Sequence, residues 1–188
     1  MQIIKLGGSL LQNASLTACL ERIASSETST VVVAGGGAFA DQVRIAQQHW
    51  QFNDVAAHHM AILAMQQMAL LINALQPDWV LLTALNDLRQ WRETNKIALW
   101  FPDILLLNQH AIPATWQVTS DSLAAWLAGV LGATDLVVVK AAQFSTTVST
   151  AELVAQGVLD HAFLDYNHPV SYKTTVINSH DFVHNTGY

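Results

Sequence analysis

Cysteine is almost missing from this 188-residue chain, where Cys19 stands alone. That excludes an intrachain disulfide framework and any Cys-rich zinc site. Charge is scarce as well. Asp, Glu, Lys and Arg make up 12% of the residues, half the roughly 25% of an ordinary soluble domain. Much apolar surface must therefore hide in a large core or against a second subunit, and a homo-oligomer, dimer or higher, is expected. Only eight residues are Lys or Arg and the net charge is −6, which argues against nucleic acid, whose phosphates ask for basic patches. No basic leader with a cleavable apolar stretch opens the chain, because Lys5 interrupts MQIIKLGGSLL. The most nearly apolar window, Ser122 to Val139, contains Gly129, Gly132, Thr134 and Asp135 and changes from a helical to a strand rhythm. No membrane span is expected there, and the protein reads as cytoplasmic.

What the chain does have is alternation. Short β-branched runs at Ile3–Leu6, Val31–Val33, Trp79–Leu82, Ile97–Phe101, Asp135–Val139 and Thr174–Ile177 are separated by longer stretches with helical spacing. The helices predicted from that spacing run from Ser9 to about Ala24, Ala38 to about Trp50, Asp54 to about Leu75 and Asn86 to Asn95, the last capped by Asn86. A short apolar segment, Ile104–Leu107, comes next. Thr119-Ser120-Asp121 is a strong helix start for a helix to about Leu131, and two short helices follow, near Ala151–Gln156 and Asp160–Tyr166. Strand runs free of polar residues belong to strands buried on both faces. The pattern predicts an α/β fold, a three-layer αβα sandwich around a mainly parallel sheet, in one domain over residues 1–188.

The chemistry concentrates at strand ends. Of four lysines, Lys5 and Lys140 lie at or near the C-terminal ends of apolar strands, where an open parallel sheet keeps its ligand crevice. A buried lysine is costly without an anion, and phosphate is the obvious counter-charge. Gly7-Gly8-Ser9 and Gly35-Gly36-Gly37 each follow a strand and open a helix, an arrangement that presents bare backbone N–H groups to anions. Gly35 to Ala40 also fits the dinucleotide fingerprint, but that motif normally follows the first strand, and Gly7-Gly8 would be left unexplained. Asp121 reads either as a helix cap, a role Thr119 or Ser120 could fill, or as an anion that holds the two lysines apart and oriented. The histidines from His110 onward show no metal-ligand spacing, and the six tryptophans read as core and interface fillers.

Three of these stretches, in this order, resemble the amino-acid kinase family. They are Lys5-Leu6-Gly7-Gly8-Ser9, Val33 to Ala40, and Thr119-Ser120-Asp121-Ser122 running into Leu136–Lys140, with Val176-Ile177-Asn178 similar to the family's closing strand. Within the family, Gly37–Arg44, Ala57–Met65 and Trp116–Ser122 resemble most a branch of phosphate kinases of methanofuran biosynthesis. The resemblance implies a carbamate kinase-like fold and transfer of a phosphoryl group from ATP, with Mg²⁺, to a small-molecule phosphate. For the branch the acceptor would be aminomethylfuran-methyl phosphate, giving the diphosphate. It implies that Lys5 stabilises the transferring group and that Asp121 orients the lysines. Lys140 would serve the nucleotide side. Gly7, Gly8, Ser9, Gly35, Gly36 and Gly37 would hold phosphates, and no residue is assigned as a metal ligand. On the acceptor side stand Arg44, a protonated His58, Thr119 and Ser120, with Asp54 and Trp50 as partners for an amine-bearing furan. After the strand the chain reads Val139-Lys140-Ala141-Ala142-Gln143-Phe144, without the family's Asp-Gly turn. Two other readings therefore stay open: a ligand- or partner-binding subunit with the kinase fold, and a kinase of an acyl amino acid or nucleoside monophosphate.

Overall fold

The computed structural model describes residues 1–12, 15–94, 96–145, 148–167 and 171–184. Six strands, β1 (Gln2–Leu6), β2 (Thr30–Ala34), β3 (Val80–Leu82), β4 (Ile97–Trp100), β5 (Asp135–Lys140) and β6 (Lys173–Asn178), form one sheet in the order β3-β4-β2-β1-β5-β6. Every pairing is parallel. The sandwich expected from the alternating pattern is what forms. Around the sheet lie α1 (Ser15–Ala24), α2 (Gly37–Trp50), α3 (Asp54–Leu75), α4 (Leu85–Gln90), α5 (Ile104–Gln109), α6 (Ser120–Leu131), α7 (Thr150–Ala155), α8 (Phe163–Tyr166) and α9 (Ser179–His184).

The period-two alternation of strand side chains splits the core into two layers. Ile3, Val31, Val33, Leu136 and Val138 face one way, against Leu123, Leu127 and Leu131 of α6 and Phe163 of α8. Ile4, Leu6, Val32, Val137 and Val139 face the other way, against Leu16, Leu20 and Ile23 of α1 and Phe182 of α9. β1 sits where the chain changes direction across the sheet: its successor β2 lies on one side and β5 on the other. The C-terminal ends of β1 and β5 thus flank the crevice that such a reversal opens.

Several local readings need correction. The predicted Ser9–Ala24 helix is a 3₁₀ turn, Gly8–Gln12, followed by α1; residues 13–14 lie outside the described set. Asn86 does not cap α4; it sits in the first turn, after Ala84, and accepts a hydrogen bond from Arg89. The polar helix stops at Gln90 and tightens into a 3₁₀ turn, Trp91–Thr94. Helix α9 carries no periodic signal long enough to read, at six residues. Among the described residues, the helix long and apolar enough to cross a membrane is α3, not the Ser122–Val139 window. Ile62, Met65, Met68 and Ile72 of α3 are buried in the two core layers.

Candidate functional site

Register alone puts the two lysines together. Lys5 pairs with Val138 across β1 and β5, so it shares the face of Ile3 and Val138, and Lys140, two residues beyond Val138, shares it too. That face is covered by α6, whose first turn carries Asp121. Asp121 Oδ1 lies 2.6 Å from Lys5 Nζ, and Oδ2 accepts a hydrogen bond from Lys140 Nζ at 2.6 Å. The carboxylate side chain is 3% exposed and that of Lys5 4%.

Burial alone would raise the Asp121 pKa, but the ammonium groups of Lys5 and Lys140 outweigh it and hold the carboxyl below its usual range. Burial, with repulsion from Lys5, lowers Lys140 from 10.5 to about 8 despite the carboxylate beside it. Two ammonium groups on one carboxylate leave one positive charge unmatched, and water cannot dilute it. The cluster is charged to receive an anion.

The glycine turns close over this cluster by touching each other. A Cβ on Gly8 would stand 2.2 Å from Gly37 N, and one on Gly35 would stand 2.7 Å from Gly8 N. Gly37 also needs a left-handed φ of +54°. Gly35 N–H donates to Leu6 O and Gly7 N–H to Val139 O, each at 2.9 Å. The expected phosphate roles of Gly7 and Gly35 are therefore corrected: both N–H donors are spent on the sheet, and Gly7 does not line the cavity while Gly35 lines it without a free donor. Among the described residues, no backbone carbonyl receives the N–H groups of Gly8, Gly36 and Gly37. These lie at the first turns of the 3₁₀ segment and of α2, where free donors favour an anion.

A cavity of about 270 Å³ joins these parts. Lys5, Gly8, Ser9, Gly35, Gly36, Gly37, Asp121 and Lys140 line it, and so do the expected acceptor-side residues Arg44, His58, Thr119 and Ser120. Two of these differ from expectation. Burial lowers the His58 pKa, and the ring Nδ1 lies 3.2 Å from Thr115 O; with Nδ1–H donating to that carbonyl, the neutral ring replaces the expected cation. Thr119 is also committed: its N–H and hydroxyl both donate to Asp160 Oδ2, at 2.9 and 2.7 Å. Trp50 is 74% exposed and lies outside the cavity. Asp54 lines a separate open depression with Gln47, Gln51 and Phe52, reached past Arg44 and Trp116.

Asp160 carries no signal in the sequence around it. It caps α6 from a distant segment, taking the N–H groups of Thr119 and Ser122 and the hydroxyls of both. Thr119 holds the N-cap position but its side chain caps nothing, so the capping acceptor is Asp160 and not Thr119, Ser120 or Asp121. Trp116, which opens the resembling Trp116–Ser122 stretch but has no expected site role, is a wall of the site: its indole lies 4.0 Å under the Arg44 guanidinium and donates to Gln47 Oε1 at 2.6 Å. Nothing local in the sequence names the carboxylate that takes the donors of Thr119 and Ser122.

Two outcomes follow from this geometry. Gly8→Ala drives a methyl group into the Gly37 backbone and should cost about 1–3 kcal/mol, as overpacking does, read by urea unfolding. Asp160→Asn removes a charged acceptor from the α6 N-terminus and should cost about 2 kcal/mol. It should also lower the Lys140 pKa further, since the Asp160 charge raises it, a shift that ¹⁵N-detected lysine titration would show.

The sequence profile described as Amino acid kinase family matches residues 1–143. The [5-(aminomethyl)furan-3-yl]methyl phosphate kinase of Methanocaldococcus jannaschii is 29% identical over 143 residues, 73% of this chain. The match spans 64% of that protein's length. A uridylate kinase from Archaeoglobus fulgidus superposes with a TM-score of 0.72 at 18% identity, covering 97% of this chain and 93% of that one. A UMP kinase from Bacillus anthracis does so at 0.68 and 14% identity, covering 95% and 87%. At these identities the two structures speak for the fold.

Proposed function

The chain belongs to the amino-acid kinase family, and on that premise we propose that it transfers the γ-phosphoryl group of ATP to the phosphate of a small acceptor. The acceptor favoured is aminomethylfuran-methyl phosphate, the compound named in the methanogen relative, and the product is its diphosphate. The observation that carries this reading is the Lys5–Asp121–Lys140 cluster, with its unmatched positive charge beside the uncommitted N–H groups of Gly8, Gly36 and Gly37. Phosphoryl transfer asks a protein for positioning and charge neutralisation rather than covalent chemistry. An acceptor phosphate oxygen attacks the γ-phosphorus as the bond to the ADP oxygen breaks. Lys5 neutralises charge on the moving group, Lys140 serves the donor side, and Asp121 keeps both ammonium groups aimed.

The residues fit ATP phosphates, and Mg²⁺ would travel with them. Both Asp121 oxygens already face ammonium groups, and among the described residues no three His, Cys, Asp or Glu side chains are grouped to hold a metal ion. Mg²⁺ characteristically keeps several waters and binds through substrate phosphates.

The test is mass spectrometry of products from MgATP and aminomethylfuran-methyl phosphate, on wild type and Lys5→Ala. The expected result is the diphosphate, reduced by roughly 10²–10³-fold in the variant. Because Lys140 is needed protonated and titrates near pH 8, kcat/KM for ATP should be full below that pH and fall above it. An ordinary lysine would hold the rate to about pH 10. Turnover of other acceptors only would replace the acceptor. No turnover and no MgATP-induced rise in melting temperature would favour the binding-subunit reading.

We also propose that the protein works as a homo-oligomer. In the 22-residue α3, Asp54 is the only charged side chain, while Val55, Met60, Leu63 and Leu70 are exposed. A face with no like charges to oppose suits a second copy of itself. Analytical ultracentrifugation at micromolar concentration should show a dimer or larger species, and Leu63→Glu should shift it toward monomer. A strict monomer in wild type would overturn this.

A further inference from the structure

The charges lining the cavity separate into two groups that differ in how they are satisfied. At the inner end, Asp121 is taken by Lys5 and Lys140. At the mouth, one turn into α2, stand Asp41 and Arg44, both lining the same cavity. They face each other only loosely, with Arg44 Nη1 at 3.8 Å from Asp41 Oδ1 and side chains 50% and 56% exposed. Arg44 has a second hold on position, its guanidinium lying over the Trp116 ring at 4.0 Å. Among the described residues Asp41 meets no other charged partner. It is therefore the one carboxylate in the lining that no ammonium group has claimed. His58, the remaining acceptor nearby, offers a neutral ring rather than a charge.

We infer that Asp41 and Arg44 together read an acceptor carrying both a phosphate and an ammonium group, Asp41 taking the ammonium and Arg44 the phosphate. This rests on the phosphate-acceptor reading above and specifies how that acceptor is chosen. The helical spacing suits such a double contact. Residues three apart on a helix present their side chains side by side, so the two charges of one small molecule meet both at once. Ile62, Met65 and Val118 also line the cavity, an apolar surface that suits a short uncharged ring joining the two charged ends. The same geometry moves the amine partner away from Asp54, which lines the outer depression and accepts a hydrogen bond from Gln47 at 2.8 Å.

The experiment is calorimetric binding of aminomethylfuran-methyl phosphate and of the same furan phosphate lacking the aminomethyl group, to wild type, Asp41→Asn and Asp54→Asn. Wild type should prefer the amine about fivefold, the upper end of what a solvent-exposed ion pair gives. Asp41→Asn should bring the ratio close to one, leaving the affinity for the amine-free compound and the MgATP-induced rise in melting temperature unchanged. Asp54→Asn should keep the wild-type ratio. Retained preference in Asp41→Asn, or its loss in Asp54→Asn, overturns the inference. Equal binding of both compounds to wild type overturns it while leaving the phosphate-acceptor reading standing. Binding of neither removes that reading and the inference with it.

Discussion

Asp121 holds two ammonium groups at 2.6 Å in a place that water barely reaches. Removing Asp121 would strand both ammonium groups, at a cost of about 3–5 kcal/mol for a broken buried pair, whereas removing one lysine leaves a matched pair. The cluster is tolerable only because its geometry is fixed from three directions. β1 and β5 set the two lysines on one face through their register. The N-terminal turn of α6 sets the carboxylate where the helix dipole favours negative charge. Asp160 then holds that turn in place.

The contribution of Asp160 changes how the chain divides. The family profile ends at residue 143, yet the side chain that caps α6 comes from beyond it. The same later segment supplies Leu153, Leu159 and Phe163 to the core on the α6 side, and Tyr172, whose hydroxyl donates to Ala125 O in α6 at 3.0 Å. The last quarter of the chain thus works as the clamp on the helix that carries Asp121.

Most of the framework was legible because it is local. Unbroken runs such as Val31-Val32-Val33 announce buried parallel strands, and paired glycines at strand ends announce close turns. Lys5 and Lys140 were legible as a pair because both end otherwise apolar strands. What escaped depends on contacts between distant segments. Gly7 looks like its neighbour in sequence, but its N–H is consumed by Val139 of another strand. His58 was expected charged; its depth in the cavity wall makes the neutral ring the cheaper form. Trp50 and Asp54 were near in sequence to the acceptor side, whereas the residue that reaches it, Trp116, arrives from a loop more than sixty positions away. Asp160 is the same case at the other end of the site.

The two ends of the cavity obey different electrostatics, and this bears on how a substrate is handled. At the lysine end, burial strips away solvent screening, so the unmatched charge acts strongly on any phosphate that arrives, whatever molecule bears it. At the mouth, Asp41 and Arg44 are half in solvent, so each contact there is worth less and falls off with salt. Strong, indiscriminate attraction inside and weaker, shape-dependent contacts outside separate the two functions of a phosphoryl-transfer site. On the proposed reading, the inner cluster would fix where the phosphorus sits, and the rim would decide which molecule brings it. Because rim and cluster share no ion-pair partner among the described residues, changes in one should leave the other nearly untouched. On that reading, a substitution at the mouth would alter the choice of acceptor without moving Lys5 or Lys140.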